Sequence, residues 1–175
     1  MSPGAAPLPV SRAEPPKQTA PVSASTAVPF MIVRVGGRWF ALAAHWVQEV
    51  ASKGAVTRVP AAARHVLGVT GLHGGLLPVI SLEKMMGTVG PAAPESATTR
   101  PRLLVLRAGE SEIALVVDEI RGIVDDFPAP VTGATSRVGQ PGFLQQEFDW
   151  QDKLVCVLDV PQLVAAAAEA NPGGA

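Results

Sequence analysis

Apolar residues in this chain gather in short runs that are separated by glycine, proline and small polar residues. The run FMIVRV begins at Phe30, and the run RWFAL follows after Gly36 and Gly37. Two apolar runs joined by a Gly-Gly pair are typical of a β-hairpin, because a tight type I′ turn needs positive φ at both central residues. The next stretch, AAHWVQEVA, has the spacing of a short helical turn that leads into a strand.

The same order of elements returns in RLLVLRAGESEIALVVDEIRGIVDDF, which begins at Arg102. This segment predicts a strand, a turn at Ala108-Gly109-Glu110, a second strand and then further apolar positions up to Val124. Both segments are a hairpin followed by an apolar turn that ends in a β-branched residue. The sequence therefore indicates an internal duplication of shape, although the identity between the two halves is weak.

The remaining elements are short. AAARHVLG predicts one or two helical turns that stop at Gly68. LLPVISL predicts a strand, and Pro78 inside it favours an edge position or a bulge, because proline donates no ladder hydrogen bond. FLQQEFDWQDKLVCVLDV predicts two more strands, and Asp159 and Pro161 are typical of the start of a closing helix. Since no long helices alternate with the strands, the pattern favours two small β-barrels side by side over a parallel α/β sheet.

The composition and charge of the chain argue against several classes of function. The chain has 175 residues, 47% of them hydrophobic, and a net charge of -1 without a block of lysine or arginine. These values allow a sizeable core and argue against a nucleic-acid surface. Residues 1–29 are rich in Pro, Ala and Ser and predict a disordered tail rather than a signal peptide. No apolar run is long enough to insert into a membrane, so a cytoplasmic protein is expected.

The sequence offers no recognisable catalytic, metal or cofactor site. The glycines of GVTGLHGGLLPVISL lack both the phosphate-loop and the dinucleotide-binding spacings. His45, His65 and His73 lie outside any metal-binding motif, and Cys156 sits in an apolar run. Asp125 and Asp126 are adjacent and predict a solvated turn. A small enzyme or ligand-binding barrel would instead need a polar pocket that holds one of the histidines together with an acid.

The stretch AAHWVQEV contains more apolar side chains than one short element can bury in the core. If Trp46 and Val50 fill the first barrel, some of Ala44, Val47 and Glu49 must face outward. An outward apolar patch is typical of a surface that binds another protein.

The segment VQEVASKGAVTRVPAAARHVLGVTGLHGGLLPVISL resembles the signature of CheW-like domains, the adaptors of bacterial chemosensory arrays. The family pattern is roughly V-x-E-V, then V-x-x-V-P, then G-V-x-N-L-R-G-x-x-x-P-V-I-D-L. LLVLRAGESEIALVVDEIRGIV is similar to the family's second hairpin and its V-D-x-V segment, and LVCVLDVPQLV is similar to its terminal strand and helix. The resemblance covers about residues 28–170.

The resemblance implies a mainly β fold of two five-stranded SH3-like barrels packed around a shared apolar core. The first barrel would span about residues 30–90, the second about 100–160, and a closing helix 160–170. It also implies a non-enzymatic adaptor that joins the regulatory domain of a chemotaxis-type histidine kinase to the cytoplasmic tip of methyl-accepting chemoreceptors. The receptor's helical hairpin would dock in an apolar groove between the barrels, and the kinase would use the outer faces. CheW-like units would alternate in rings at the inner face of the membrane.

Carried over position by position, the resemblance implies a set of partner-binding residues: Ala44, Val47, Glu49, Val50, Gly68, Gly71, Leu72, His73, Gly74, Val117 and Asp118. Three positions depart from the family, since Gly71 replaces its Asn, His73 its Arg and Ser81 its Asp. Arginine offers five fixed donors and a permanent charge, whereas histidine offers at most two donors. An alternative is therefore a divergent member that binds only receptor or only kinase and acts as a scaffold or competitor in a motility or other chemosensory system.

Overall fold

The computed structural model describes residues 28–87, 100–125 and 141–169. Within these ranges the chain forms ten strands, a 3₁₀ turn at Ala44–Trp46 and two α-helices. In chain order the elements are β1 Phe30–Val35, β2 Arg38–Ala43, β3 Val47–Ser52, β4 Val66–Leu72, β5 Gly75–Ile80, α1 Leu82–Met85, β6 Arg102–Ala108, β7 Ser111–Val117, β8 Glu119–Val124, β9 Leu144–Trp150, β10 Lys153–Leu158 and α2 Val160–Glu169. The predicted disordered tail lies almost wholly outside the described residues.

The strands form two five-stranded sheets. Sheet A has the order β8-β1-β2-β10-β9, and sheet B has the order β3-β6-β7-β5-β4. The neighbours pair antiparallel except β10 with β2 and β5 with β7, which run parallel. The predicted mainly β fold with two five-stranded subdomains and a C-terminal helix is confirmed. Among the described strands, however, neither ladder closes on itself through backbone hydrogen bonds, so the subdomains are open rather than closed barrels.

The two halves of the chain repeat the same order of elements, and each half begins with a hairpin in one sheet and places its other three strands in the other sheet. β1 and β2 lie in sheet A and are followed by β3, β4 and β5 in sheet B, whereas β6 and β7 lie in sheet B and are followed by β8, β9 and β10 in sheet A. The predicted division into a barrel at about 30–90 and another at about 100–160 is therefore wrong. The 3₁₀ turn after β2 and the bend at Asp118 after β7 carry the chain from one sheet to the other.

The apolar runs of β1 and β6 are continuous because both faces of these strands are buried. Phe30 and Ile32 pack in a cluster that belongs to sheet A, and Leu103 packs in a cluster that belongs to sheet B. Met31 and Leu104 face the opposite way, into a larger shared core between the two sheets. The shared core also takes in Leu82 of α1 and Leu163 of α2.

The two helices begin with equivalent caps. The backbone N–H of Lys84 donates to Ser81 Oγ over 3.5 Å, and that of Gln162 donates to Asp159 Oδ1 over 3.0 Å. The predicted Asp159 cap is confirmed. Ser81 supplies the same kind of acceptor at the equivalent place, so replacing the family's Asp by Ser keeps the cap.

Two local expectations are wrong. The predicted helical turn before Gly68 is instead the start of β4, which begins at Val66. Pro78 does not lie at an edge, because β5 sits between β7 and β4, and the register shift in the β4–β5 pairing falls between Val66 and Gly68 rather than at Pro78. It is tolerated there because the pairing of β5 with β7 covers only Val79 and Ile80, the residues that follow it.

Candidate functional site

The glycine-bearing stretch folds as the β4–β5 hairpin with a two-residue turn. His73 has φ 48° and Gly74 has φ 80°, and Leu72 pairs with Gly75 on either side of them. Positive φ at both central residues defines a type I′ turn, whose twist matches that of the paired strands. The turn places the His73 side chain, 76% exposed, at the tip of sheet B.

Gly68 is needed for a close approach between backbones. Its φ is 149°, and a Cβ built on it would lie 2.2 Å from the carbonyl oxygen of Thr57. Thr57 and Val69 exchange two backbone hydrogen bonds of 2.8 Å, which fix the β3–β4 loop onto β4. Gly68 is itself buried, so its role is structural. A Cβ at Gly71, by contrast, would meet nothing within 4 Å.

His73 and Glu49 join the two edges of sheet B. His73 Nε2 lies 2.8 Å from Glu49 Oε2, and Glu49 belongs to β3, at the edge of the sheet opposite β4. The other carboxylate oxygen, Glu49 Oε1, is buried and has no hydrogen-bond partner within the described residues. Two of the polar positions that the resemblance singled out therefore contact each other, and one carboxylate oxygen has no partner within the described residues.

A groove of about 430 Å³ lies at this junction, and we call it the seam groove. Its wall contains Leu76, whose side chain is 76% exposed, beside Leu72. Arg107 Nε donates to Glu112 Oε1 over 2.6 Å at the same groove. The full lining is Gln48, Glu49, Leu72, His73, Gly75, Leu76, Leu77, Val105, Arg107 and Glu112. Exposed leucine beside paired charges suits an apolar side chain from another protein with a polar rim around it.

The V-x-E-V strand presents alternate residues to opposite faces. Val50 is 38% exposed, so it does not fill the first barrel. Val47 and Trp46 are half-buried and pack against the shared core rather than filling one barrel. Ala44 is also half-buried. On this strand Val50 therefore offers a partner the most apolar surface.

The V-D positions of the second half are structural. Val117 is fully buried in the shared core, which leaves it no surface for a partner. Asp118 Oδ2 accepts a hydrogen bond of 2.8 Å from the backbone N–H of Gly36, so it holds the β1–β2 turn from the other half of the chain. A carboxylate on a backbone N–H at a tight turn stabilises that turn.

A second groove of about 440 Å³ runs between sheet B and α2, and we call it the α2 groove. Its lining is Val59, Ala62, Val66, Val69, Pro78, Ile80, Ser111, Glu112, Ile113, Val164, Ala167 and Ala168. Ile80, Ile113 and Val164 are also shared-core residues, so the groove opens at the edge of that core. Its walls come from distant parts of the chain, which is why no local sequence pattern indicated it.

The three histidines do not converge, and His73, which shares the seam groove with Glu49 and Glu112, is exposed rather than enclosed in a deep polar pocket. His45 is tilted against the ring of Trp46 with 4.6 Å between centroids, and His65 Nε2 lies 3.5 Å from the carbonyl oxygen of Ala167. Within the described ranges, no group of three or more His, Cys, Asp or Glu residues could hold a metal ion.

Cys156 is buried. Burial raises the pKa of its thiol to about 11, the Glu147 carboxylate adds to the rise, and Arg38 opposes it. A thiol in this state is a poor nucleophile, so Cys156 serves as a small core residue. Asp126, one of the two predicted turn acids, lies outside the described residues.

None of the helices in the described part of the chain has the length and apolar character to cross a bilayer.

Comparison with known proteins gives one family and likenesses to several solved structures. A family model described as the CheW-like domain matches residues 29–168. The structure is similar to the scaffolding protein TtCheW from Thermoanaerobacter tengcongensis, with a TM-score of 0.62 and 17% sequence identity over 76% of this chain and 89% of that chain. At this identity the likeness shows the fold alone. No curated protein sequence matches the chain.

Proposed function

Because the chain belongs to the family of CheW-like domains, we propose that it is a non-enzymatic adaptor that couples chemoreceptors to a chemotaxis-type histidine kinase in the cytoplasm. The observation that carries the proposal is the presence of two grooves on one small domain. The seam groove and the α2 groove share only Glu112 among their lining residues. An adaptor needs two separate docking sites, one for each protein that it joins.

The chemistry of the grooves suits the two partners differently. The α2 groove is mainly apolar and opens at the edge of the shared core, so we assign the receptor's helical hairpin to it. The seam groove lies at the outer end of sheet B and carries Leu76, Glu49 and His73, so we assign the kinase's regulatory domain to it. Each contact would bury roughly 800 Å² per partner, and multiple contacts within an array would add avidity.

The Leu76 side chain gives the kinase assignment a direct test. Leu76→Asp places a carboxylate where an apolar contact is proposed, and we expect kinase binding to weaken about tenfold or more. The fold should persist, because Leu76 is 76% exposed. Binding is measured by titrating the kinase regulatory domain. Leu154→Asp is the matched control, since Leu154 is 57% exposed in sheet A. Equal affinities for the two variants would remove Leu76 from the interface.

Reconstitution tests the function as a whole. Purified chain is mixed with receptor-containing membranes and kinase, and the kinase's ATP turnover and the sedimented proteins are measured. Sedimentation of both partners with a receptor-dependent change in turnover supports coupling. Sedimentation of only one partner would instead establish the alternative, a divergent scaffold or competitor that binds receptor or kinase alone.

That alternative is favoured by a specific observation, the histidine at position 73. His73→Arg would supply a permanent charge and a forked donor set, which could reach Glu49 Oε1 as well as Oε2. We expect kinase turnover in the reconstituted array to rise by roughly two- to fivefold. His73→Lys, which carries the charge without the fork, should give a smaller rise. If turnover falls or stays level with Arg, this contact no longer takes part in coupling.

A further inference from the structure

A basic pocket lies beside the α2 groove and is not explained by the family motifs. The cavity measures about 450 Å³ and is lined by four cationic side chains: Lys53, Arg58, Arg64 and Lys84. The lining contains no Asp or Glu, although the chain as a whole has a net charge of -1. All four residues are exposed, and within the described ranges none of them makes an ion pair. Four like charges around one concavity create a local field that attracts anions.

The pocket is held in shape by the loop between β3 and β4. Thr57, next to Arg58, exchanges two backbone hydrogen bonds with Val69. Thr70 Oγ1 donates to the Ala55 carbonyl oxygen over 3.0 Å, and the close approach at Gly68 brings the loop against β4. The cations are therefore presented from an anchored backbone, which lowers the ordering entropy that binding would cost.

The basic pocket is continuous with the α2 groove. Val59, Ala62 and Val66 line both of them. A ligand that enters here would contact apolar side chains along sheet B and α2. At one end of the groove it would contact the cationic side chains of the basic pocket. This combination matches an amphipathic helix whose apolar face carries acidic residues along its border.

We propose that the basic pocket binds acidic side chains of the helical protein segment that docks in the α2 groove, and so selects partners by their charge. The inference rests on the proposed function, because it assigns a chemical preference to the groove already given to the receptor. A nucleic acid fits less well, since the adjoining surface is aliphatic and offers no aromatic side chain on which bases could stack. A flat membrane surface fits less well because the cations line a concavity.

The test uses the full chain and two synthetic helical peptides of about 20 residues. One peptide has Leu and Ala on one face and Glu along its border, and its twin has Gln in place of every Glu. At low salt we expect the Glu peptide to bind about tenfold more tightly than its twin, and added salt should reduce the difference. Arg58→Gln combined with Arg64→Gln should abolish most of that difference. Arg121→Gln combined with Lys153→Gln is the matched control, because it removes two charges from sheet A.

Three results would overturn the proposal. The first is that the two peptides bind equally or that neither binds. The second is that the control variant loses as much of the difference between the two peptides as the Arg58 and Arg64 variant does. The third is that anionic phospholipid vesicles bind more strongly than the Glu peptide and that this binding depends on Arg58 and Arg64. Sedimentation with receptor-containing membranes separates this idea from the proposed function. If the unaltered chain does not sediment with them, the proposed function fails. If it sediments and the Arg58 and Arg64 variant sediments equally, only the basic pocket loses its assigned role.

Discussion

Replacing Gly68 by alanine is expected to destabilise the protein by about 2 to 5 kcal/mol. The new Cβ would lie 2.2 Å from the backbone oxygen of Thr57, a distance that no side-chain rearrangement can relieve. The backbone at φ 149° would be strained as well, because residues with a Cβ rarely adopt it. The β3–β4 loop would have to move away from β4, and Arg58 would move with it.

Gly71→Ala is the matched control, three residues along the same strand. A Cβ at Gly71 meets nothing within 4 Å, so we expect a change of no more than about 1 kcal/mol in either direction. Urea unfolding followed by far-UV circular dichroism gives both free energies. Gly68→Ala should also weaken binding of the Glu peptide in the folded protein. A Gly68 variant as stable as the Gly71 variant would mean that the loop is not fixed by this contact.

The glycines of this chain show which structural features the sequence can predict and which it cannot. The Gly36-Gly37 hairpin and the Asp159 cap follow from local rules, because a turn or a cap depends on a few adjacent residues. The need for Gly68 depends on Thr57, a residue that reaches it only when the loop folds back. The local pattern could therefore show a glycine but not its neighbour.

The exchange of strands was missed for a related physical reason. Alternation and turn residues report which segments are strands, but not which sheet a strand joins. β3 and β8 each follow a hairpin closely, and chain proximity favours pairing with that hairpin. The buried contacts that form after the chain passes to the other sheet outweigh this preference, so β3 pairs with β6 and β8 pairs with β1.

Part of the candidate site follows from the resemblance, and its role in binding a partner stays a prediction. The resemblance singled out Glu49 and His73 from positions far apart in the sequence, and the structure places them 2.8 Å from each other. It also included Val117, which is a core residue, because a motif position can be required for folding as well as for binding. The most exposed apolar side chain of the seam groove, Leu76, occupies a variable position of the motif and gave no signal in the sequence.

The exchanged strands lead to the second large effect, a single unfolding transition for both sheets. Leu103→Ala creates a cavity in the cluster that belongs to sheet B, at a cost of about 2 to 5 kcal/mol. β8 of sheet A follows directly on β7 of sheet B, and the shared core joins both sheets. We therefore expect the loss to appear in sheet A as well as in sheet B.

The chain's tryptophans make this measurable, because all three lie outside the strands of sheet B. Trp39 and Trp150 pack in the cluster of sheet A, and Trp46 packs against the shared core. In Leu103→Ala, the urea midpoint from tryptophan fluorescence should fall by about 1 to 2 M and coincide with that from circular dichroism. Leu154→Ala, at an exposed site of sheet A, should leave the midpoint nearly unchanged.

A fluorescence midpoint that stays at its original value while dichroism shows an earlier transition would mean that the sheets unfold separately. Because the strands that line both grooves belong to sheet B, a single transition would make the stability of both docking sites depend on sheet A as well.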